Sequence, residues 1–258
     1  MARYHVHRLV KSLWRFVRKL LPFETRSEET HFAVTALKDS RRHQRFSVSH
    51  PDFAFVITSR DDWLPVANLS FEGFAVFLSG SDREKLVPSG HMKIHVLGEE
   101  TKVFATQAYT DDSIAGYKLV HENSDSIIFL RGIIDYLKMG TSLQFISKEM
   151  LREELRHPDW LCLRGEGPCD LQIKVNADKE VEQLFLNFRL EENYFQIDFK
   201  NGQIKVGPEK YRTPPMDVVL KKGLILLLGV QQPRIVHCLG TFFRISQDAL
   251  TELRSSPP

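Results

Sequence analysis

Residues 53–78 read FAFVITSRDDWLPVANLSFEGFAVFL, and the alternation of apolar runs with turn residues in this stretch decides the fold class. Phe53 to Thr58, Pro65 to Asn68 and Phe74 to Leu78 are short runs rich in aromatic and β-branched residues, with breaks at Arg60–Asp62 and Ser79–Asp82. Moving outward, the pattern repeats at His91 to Leu97, Lys102 to Tyr109 and Ile114 to Leu119, divided at Gly98–Glu100 and Asp111–Ser113. Six short strands at this spacing predict an antiparallel barrel or sandwich. Ser126 to Lys138 then changes period, with Ile127, Phe129, Leu130, Ile133, Ile134 and Leu137 recurring as on one helical face. A helix at this point can plug or cover a barrel.

The chain has 258 residues, 42% of them hydrophobic and 26% charged. That is enough apolar material for a sizeable core and argues against global disorder. The best apolar run, Leu224 to Val230, falls far short of the roughly 18 residues that span a bilayer. Cys162, Cys169 and Cys238 are an odd, sparse set that offers no disulfide framework and suits a reducing compartment. Cations interrupt the N-terminal apolar residues, so no secretory signal is read there. The formal charge of +2 conceals an asymmetry: residues 1–50 hold eleven Lys/Arg against four Asp/Glu, leaving 24 against 29 for the remainder. A basic front on a mildly acidic body points to an anionic partner for the front.

Within that front, residues 4–21 read YHVHRLVKSLWRFVRKLL. Val6, Leu9, Val10, Leu13, Val17, Leu20 and Leu21 define one face, Arg8, Lys11, Arg15, Arg18 and Lys19 the other, and Pro22 ends the pattern. This basic amphipathic helix suits an anionic membrane surface, a partner or second copy, or its own protein, and all three stay open. Residues 24–40 read as a linker or a short second helix.

Two motifs bracket the first strand: Arg41-Arg42-His43-Gln44-Arg45, and, twenty-three residues beyond Arg45, Asn68-Leu69-Ser70-Phe71-Glu72-Gly73. Each alone is an ordinary loop or turn. In this order, followed by strands and a helix, they resemble the PilZ domain, a family marked by RxxxR and then [D/N]xSxxG. Arg41 and Arg45 match the arginine positions; Asn68, Ser70 and Gly73 match the second motif; and Gly116-Tyr117-Lys118-Leu119 is similar to the family's glycine-led last barrel strand. The resemblance covers about residues 38–138. It implies a six-stranded antiparallel barrel with a flanking helix, and binding of the bacterial second messenger cyclic di-GMP through Arg41, Arg45, Asn68, Ser70 and Gly73.

The residue chemistry suits such a ligand. An arginine fork can donate to guanine O6 and N7 together, pair with phosphate, or lie on a purine face. Asn68 can both accept and donate, Ser70 adds a short hydroxyl, and Gly73 permits a sharp turn or close approach. Arg42 either contacts a phosphate or faces solvent and is kept as a candidate binding residue; His43 is read as a bystander.

Past Lys138 the resemblance stops. Ile146 to Leu155 looks helical, and strand-like runs follow at Trp160–Leu163, Cys169–Val175, Gln183–Arg189, Tyr194–Lys200 and Gln203–Val206. Asn201-Gly202 predicts a type I′ hairpin. Asp217 to Leu228 and Ser246 to Arg254 read as helices, the second with Ser246 as N-cap. Gly165-Glu166-Gly167-Pro168 lacks the Gly-Lys-Ser/Thr of a phosphate loop and reads as a turn. Cys162 and Cys169 lack zinc spacing, His91 and His95 lack a third ligand, and no nucleophile, base and orienter assemble, so neither metal, cofactor nor catalysis is expected.

The fold expected is therefore mainly β with α: residues 1–37 a basic helix and linker, 38–138 a barrel, and 139–258 an α+β unit of unassigned role. The function implied is a cytoplasmic, non-enzymatic cyclic di-GMP receptor governing motility, adhesion, biofilm or exopolysaccharide. Peripheral contact at the inner membrane face is left open, and so is a protein partner or self-association through the N-terminal helix or C-terminal unit. Nucleic acid fits poorly with the acidic body. The alternative is a barrel acting as a structural adaptor without nucleotide.

Overall fold

The computed structural model describes residues 44–120, 124–190, 193–208 and 215–255. The basic helix over 4–21, the 24–40 segment, Arg41, Arg42 and His43 lie outside these residues.

Seven strands make the first sheet: β1 Phe46–Ser47, β2 Ala54–Ile57, β3 Trp63–Ser70, β4 Gly73–Phe77, β5 Ser89–Val96, β6 Glu99–Thr110 and β7 Ile114–Val120. Strands β2 to β7 close an antiparallel six-stranded barrel in the order β3-β2-β5-β6-β7-β4 and back to β3, with β1 paired outside on β3. Alternation supplies the core: Met92, Ile94 and Val96 on β5, and Ala115, Tyr117 and Leu119 on β7, are buried.

Strand β3 breaks its own alternation. Leu64 and Val66 point inward, but the next inward residue is Leu69, because a bulge between Val66 and Asn68 inserts Ala67. A one-residue insertion in a period-two strand reverses every side chain beyond it. Asn68 and Ser70 therefore share an outward face instead of entering the barrel. A second bulge, between Gln107 and Tyr109 on β6, does the same to Tyr109.

Helix α1, Ser124–Thr141, buries Leu130, Ile133, Ile134 and Leu137 and packs against β1, β3 and β6 of the first sheet. A six-stranded antiparallel meander follows: β8 Gln144–Phe145, β9 Trp160–Arg164, β10 Cys169–Val175, β11 Val181–Leu190, β12 Asn193–Lys200 and β13 Gln203–Pro208. The expected hairpin at Asn201-Gly202 is present, with φ of 52° and 76°. Gly165 to Pro168 forms the turn between β9 and β10, with Gly167 at φ 73°. Helix α2, Met216–Leu228, and helix α3, Pro233–Ser255, pack on this second sheet, and α2 also packs on α1. One continuous apolar cluster runs from Phe46 to Leu250 through both sheets and the three helices of the described residues.

Two expectations are corrected. Ile146 to Leu155 is not a helix but two three-residue 3-10 turns, Lys148–Met150 and Glu153–Leu155. There, Arg156 Nε donates to the Leu151 carbonyl (2.9 Å) and Nη2 to that of Glu149 (3.4 Å), occupying carbonyls that a helix would use. Ser246 is not an N-cap. Its helix starts at Pro233, and Ser246 is fully buried beside Phe242, Phe243 and Leu250. Ile235, Leu239 and Phe242 carry the same helical phase upstream of it, and proline at the first helical position marks the true start.

The three cysteines are free and buried, and burial pushes the thiols of Cys169 and Cys238 up to about 12. Among the described residues no helix is long and apolar enough to cross a membrane, and no cluster of His, Cys, Asp or Glu is arranged to hold a metal.

His50 sits where the barrel meets α3, with its ring 4.7 Å from that of Phe243 and 6.3 Å from that of Phe53. Burial lowers its pKa to about 4, against a hydrogen bond to the Val236 backbone that raises it. The folded chain holds this imidazole neutral, whereas the unfolded chain protonates it below about 6.5. The resulting stability is complete above pH 6.5 and is lost as pH falls toward 4, on the order of 3 kcal/mol in all. Denaturant unfolding measured across that range is expected to show this loss in the wild type and a flatter profile in His50→Phe.

Candidate functional site

Directly paired residues of an antiparallel sheet project to the same side. The register therefore traces a row across the outside of the barrel: Ser47 opposite Asn68, Asn68 opposite Ala75, Ala75 opposite Gly116, and Gly116 opposite Tyr109. The next row holds Ser70 opposite Gly73, Gly73 opposite Lys118, and Lys118 opposite Thr106. Arg45 immediately precedes β1, and continuing the same register sets it level with Ser70. The structure thus brings Arg45, Asn68, Ser70 and Gly73 together on one face, and adds Tyr109 and Lys118, which the motifs did not include. Arg41 and Arg42 are not among the described residues.

Each side chain has a physical reason for its place. Ser70 and Gly73 flank the two-residue β3–β4 turn, where Ser70 Oγ donates to the Gly73 carbonyl (3.0 Å) and is buried. A Cβ on Gly73 would fall 2.2 Å from the Tyr117 carbonyl oxygen, so the residue is required by the approach of β7. The close approach read for Gly73 in the sequence is thus made to the barrel's own backbone. Asn68 is half-buried, and its Oδ1 is sequestered with no hydrogen-bond partner among the described residues. A buried amide oxygen in that condition is costly and calls for a donor that reaches it.

Arg45 Nη1 donates to Tyr109 Oη (3.1 Å), and its guanidinium carbon lies 5.9 Å from the centre of the Tyr109 ring. The ring is 40% exposed. It lies over Gly116, where an added Cβ would come within 2.0 Å of a ring carbon. Gln107 Nε2 donates to Thr110 Oγ1 across the bulge that turns this tyrosine outward. Lys118 is exposed beside Gly73. Two cations, an aromatic ring and an amide on a floor of small residues can hold an anionic group and a planar ring at once.

Concavity alone points elsewhere. A cavity of about 470 Å³ lies between the 148–155 turns and β9–β10, lined by Ile146, Met150, Leu155, Cys162, Arg164 and Asp170 among others. Its Arg164 and Asp170 pair with each other (2.7 Å), and Arg152 and Glu154 also line it. The barrel face has the richer chemistry.

Tyr109 escaped the sequence reading because it ends a strand-like run, where nothing distinguishes it from a rim aromatic. Gly116, seven residues later and under its ring, is the signal that was present, although only the bulge shows that the two meet.

No family model matches the chain, and no curated protein does. Among solved structures it is similar to an uncharacterised protein of Legionella, with 12% identity and a TM-score of 0.28 over 34% of this chain and 88% of that one.

Gly73→Ala is expected to destabilise the barrel by about 1–3 kcal/mol, because the added methyl overlaps a strand carbonyl that cannot move alone. Gly116→Ala, whose methyl meets first the rotatable Tyr109 ring, is expected to cost less. Paired thermal melts would measure both.

Proposed function

We propose that this chain is a bacterial cyclic di-GMP receptor of PilZ type, binding the nucleotide on the outward rows that contain Arg45, Asn68, Ser70 and Gly73. The observation that carries the reading is convergence: motif residues separated by more than twenty positions meet on one face of a closed six-stranded barrel. In this reading Arg45 leaves Tyr109 and donates to a phosphodiester or to guanine O6 and N7. The tyrosine ring then offers a face to a base, the orphaned Asn68 oxygen accepts a guanine N–H, and Lys118 faces the second phosphate. Arg41 and Arg42 add charge from the preceding segment. Nothing in this scheme requires a cofactor or a bond-breaking step. A cytoplasmic location and control of motility, adhesion or exopolysaccharide follow as part of the same proposal.

One observation favours the alternative of a structural adaptor. Ser70 and Gly73 both serve the barrel itself, the first through its hydrogen bond across the turn and the second through its contact with β7. These two motif residues would be needed for folding even without a ligand. Among the described residues Arg45 contacts only an exposed rim tyrosine and the Asn68 amide oxygen bonds nothing, so these two residues separate the readings.

Calorimetric titration of cyclic di-GMP into the full chain is expected to give saturable binding. Arg45→Ala should weaken it about ten- to a hundredfold through loss of a charge-assisted hydrogen bond. Tyr109→Phe should retain most of the affinity and Tyr109→Ala should lose it, since the ring face is kept in one and removed in the other. No heat from the wild type would leave the adaptor reading standing, and unchanged affinity in Arg45→Ala would overturn the site proposed at Arg45.

A further inference from the structure

The segment that carries Arg45 does not end at the barrel. After β1, the Val48 amide donates to the Ala67 carbonyl (3.0 Å), continuing the contact with β3 up to the bulge residue. The chain then changes partner. Ser49 N–H donates to the Leu228 carbonyl (2.8 Å), and Ser49 Oγ donates to the same oxygen (2.9 Å). Gln231 Nε2 reaches back to the Ser47 carbonyl (3.1 Å) while also donating to the Gly229 carbonyl (3.0 Å). His50 follows, with its ring against Phe243 of α3. Only three residues therefore lie between Arg45 and Ser49, which caps the end of α2, four steps that span about 13 Å in extended chain.

The capped atom matters. The last carbonyls of a helix have no partner within it, and whatever satisfies them fixes how the helix ends. At α2 that partner comes from outside the helix, from the same segment that holds the outermost described cation of the ligand site. The α2 terminus is also the point where the three helices meet. Thr141 Oγ1 at the end of α1 donates to the Gly229 carbonyl (3.1 Å), and α3 begins at Pro233.

We infer that residues 45–50 form a strap through which occupancy of the Arg45–Asn68 face is transmitted to the α2–α3 junction. The inference rests on the proposed cyclic di-GMP site. A ligand held between Arg45 and the Asn68–Gly73 corner tightens β1 against β3, and the fixed strap holds Ser49 on the Leu228 carbonyl. Without ligand, the Arg45 side chain is held, among the described residues, by the exposed hydroxyl and ring of Tyr109, and the strap exchanges more freely between its docked and released forms. The ligand favours the docked form because only that form presents Arg45 over the outward rows. This difference in affinity is what coupling between two sites requires.

Hydrogen exchange on the full chain, with and without saturating cyclic di-GMP, reads both ends of the strap. Protection is expected at 68–73, where the ligand sits, and also at 226–231, where the Gly229 and Val230 amides bond to the Leu226 and Leu227 carbonyls (2.9 and 3.1 Å). In the Ser49→Ala, Gln231→Ala double variant, protection at 68–73 should persist while that at 226–231 disappears. By reciprocity, affinity should fall about two- to tenfold. Protection confined to 68–73 in the wild type, or retained at 226–231 in the double variant, overturns the strap and leaves the site intact. Absence of protection at both segments overturns the site and the strap together.

Discussion

The outward face of the barrel depends on two inserted residues. Barrel closure demands that Leu69 and Phe74 pack inward, opposite each other, with Phe74 stacked on Tyr117 at 5.1 Å. A regular strand running from Leu64 and Val66 would instead send Asn68 and Ser70 into that apolar interior, where an unsatisfied polar group costs about 1–3 kcal/mol. The bulge at Ala67 resolves the conflict by reversing the strand halfway along. The corresponding bulge at Ala108 places Tyr109 over Gly116 outside the barrel. Hydrophobic burial and the polar face are thus satisfied by the same local irregularity, which is where bulges recur in sheets that carry a site.

Helix α2 plays the matching part on the other side of the core. Val219, Leu220 and every residue from Gly223 to Leu228 are buried, so it is apolar nearly all round, as a helix enclosed by other elements must be. Its two lysines are accommodated by partners. Lys221 bridges Glu99 on β6 and Asp217 one turn earlier, while Lys222 lies 5.7 Å from the Tyr136 ring and 5.0 Å from that of Phe195. Because α2 touches α1 along one side and β12–β13 along another, barrel and meander share one hydrophobic cluster. A change at the β1 edge therefore has a short route into the second half of the chain.

The strands were legible where burial is one-sided and turns are chemically marked, as in β5, β7 and the Asn201-Gly202 hairpin. The readings of β3 and β6 stopped at Asn68 and Tyr109, the residues just beyond the bulges, because period-two counting has no means of registering an extra residue. Residues 146–155 misled for a different reason. Ile146, Leu151 and Leu155 are half-buried where they line the cavity beside β9 and β10, and their spacing resembles helical periodicity without the capping that a helix needs. Ser246 showed the opposite error, since a serine with good N-cap chemistry is buried by a helix whose phase was set thirteen residues earlier at Pro233.

The amino-acid sequence by itself determined the six-stranded character of the first half, the covering helix, the strands of the second half, and the identity of Arg45, Asn68, Ser70 and Gly73 as residues of interest. These follow from local periodicity, turn chemistry and motif spacing, all of which act over a few residues. Only the tertiary structure decided which way those residues face, that Tyr109 and Lys118 stand beside them, and that Ser49 ties their segment to the end of α2. Those facts depend on register between strands distant in the chain and on a single inserted residue in each of two of them, and neither leaves a periodic trace to read.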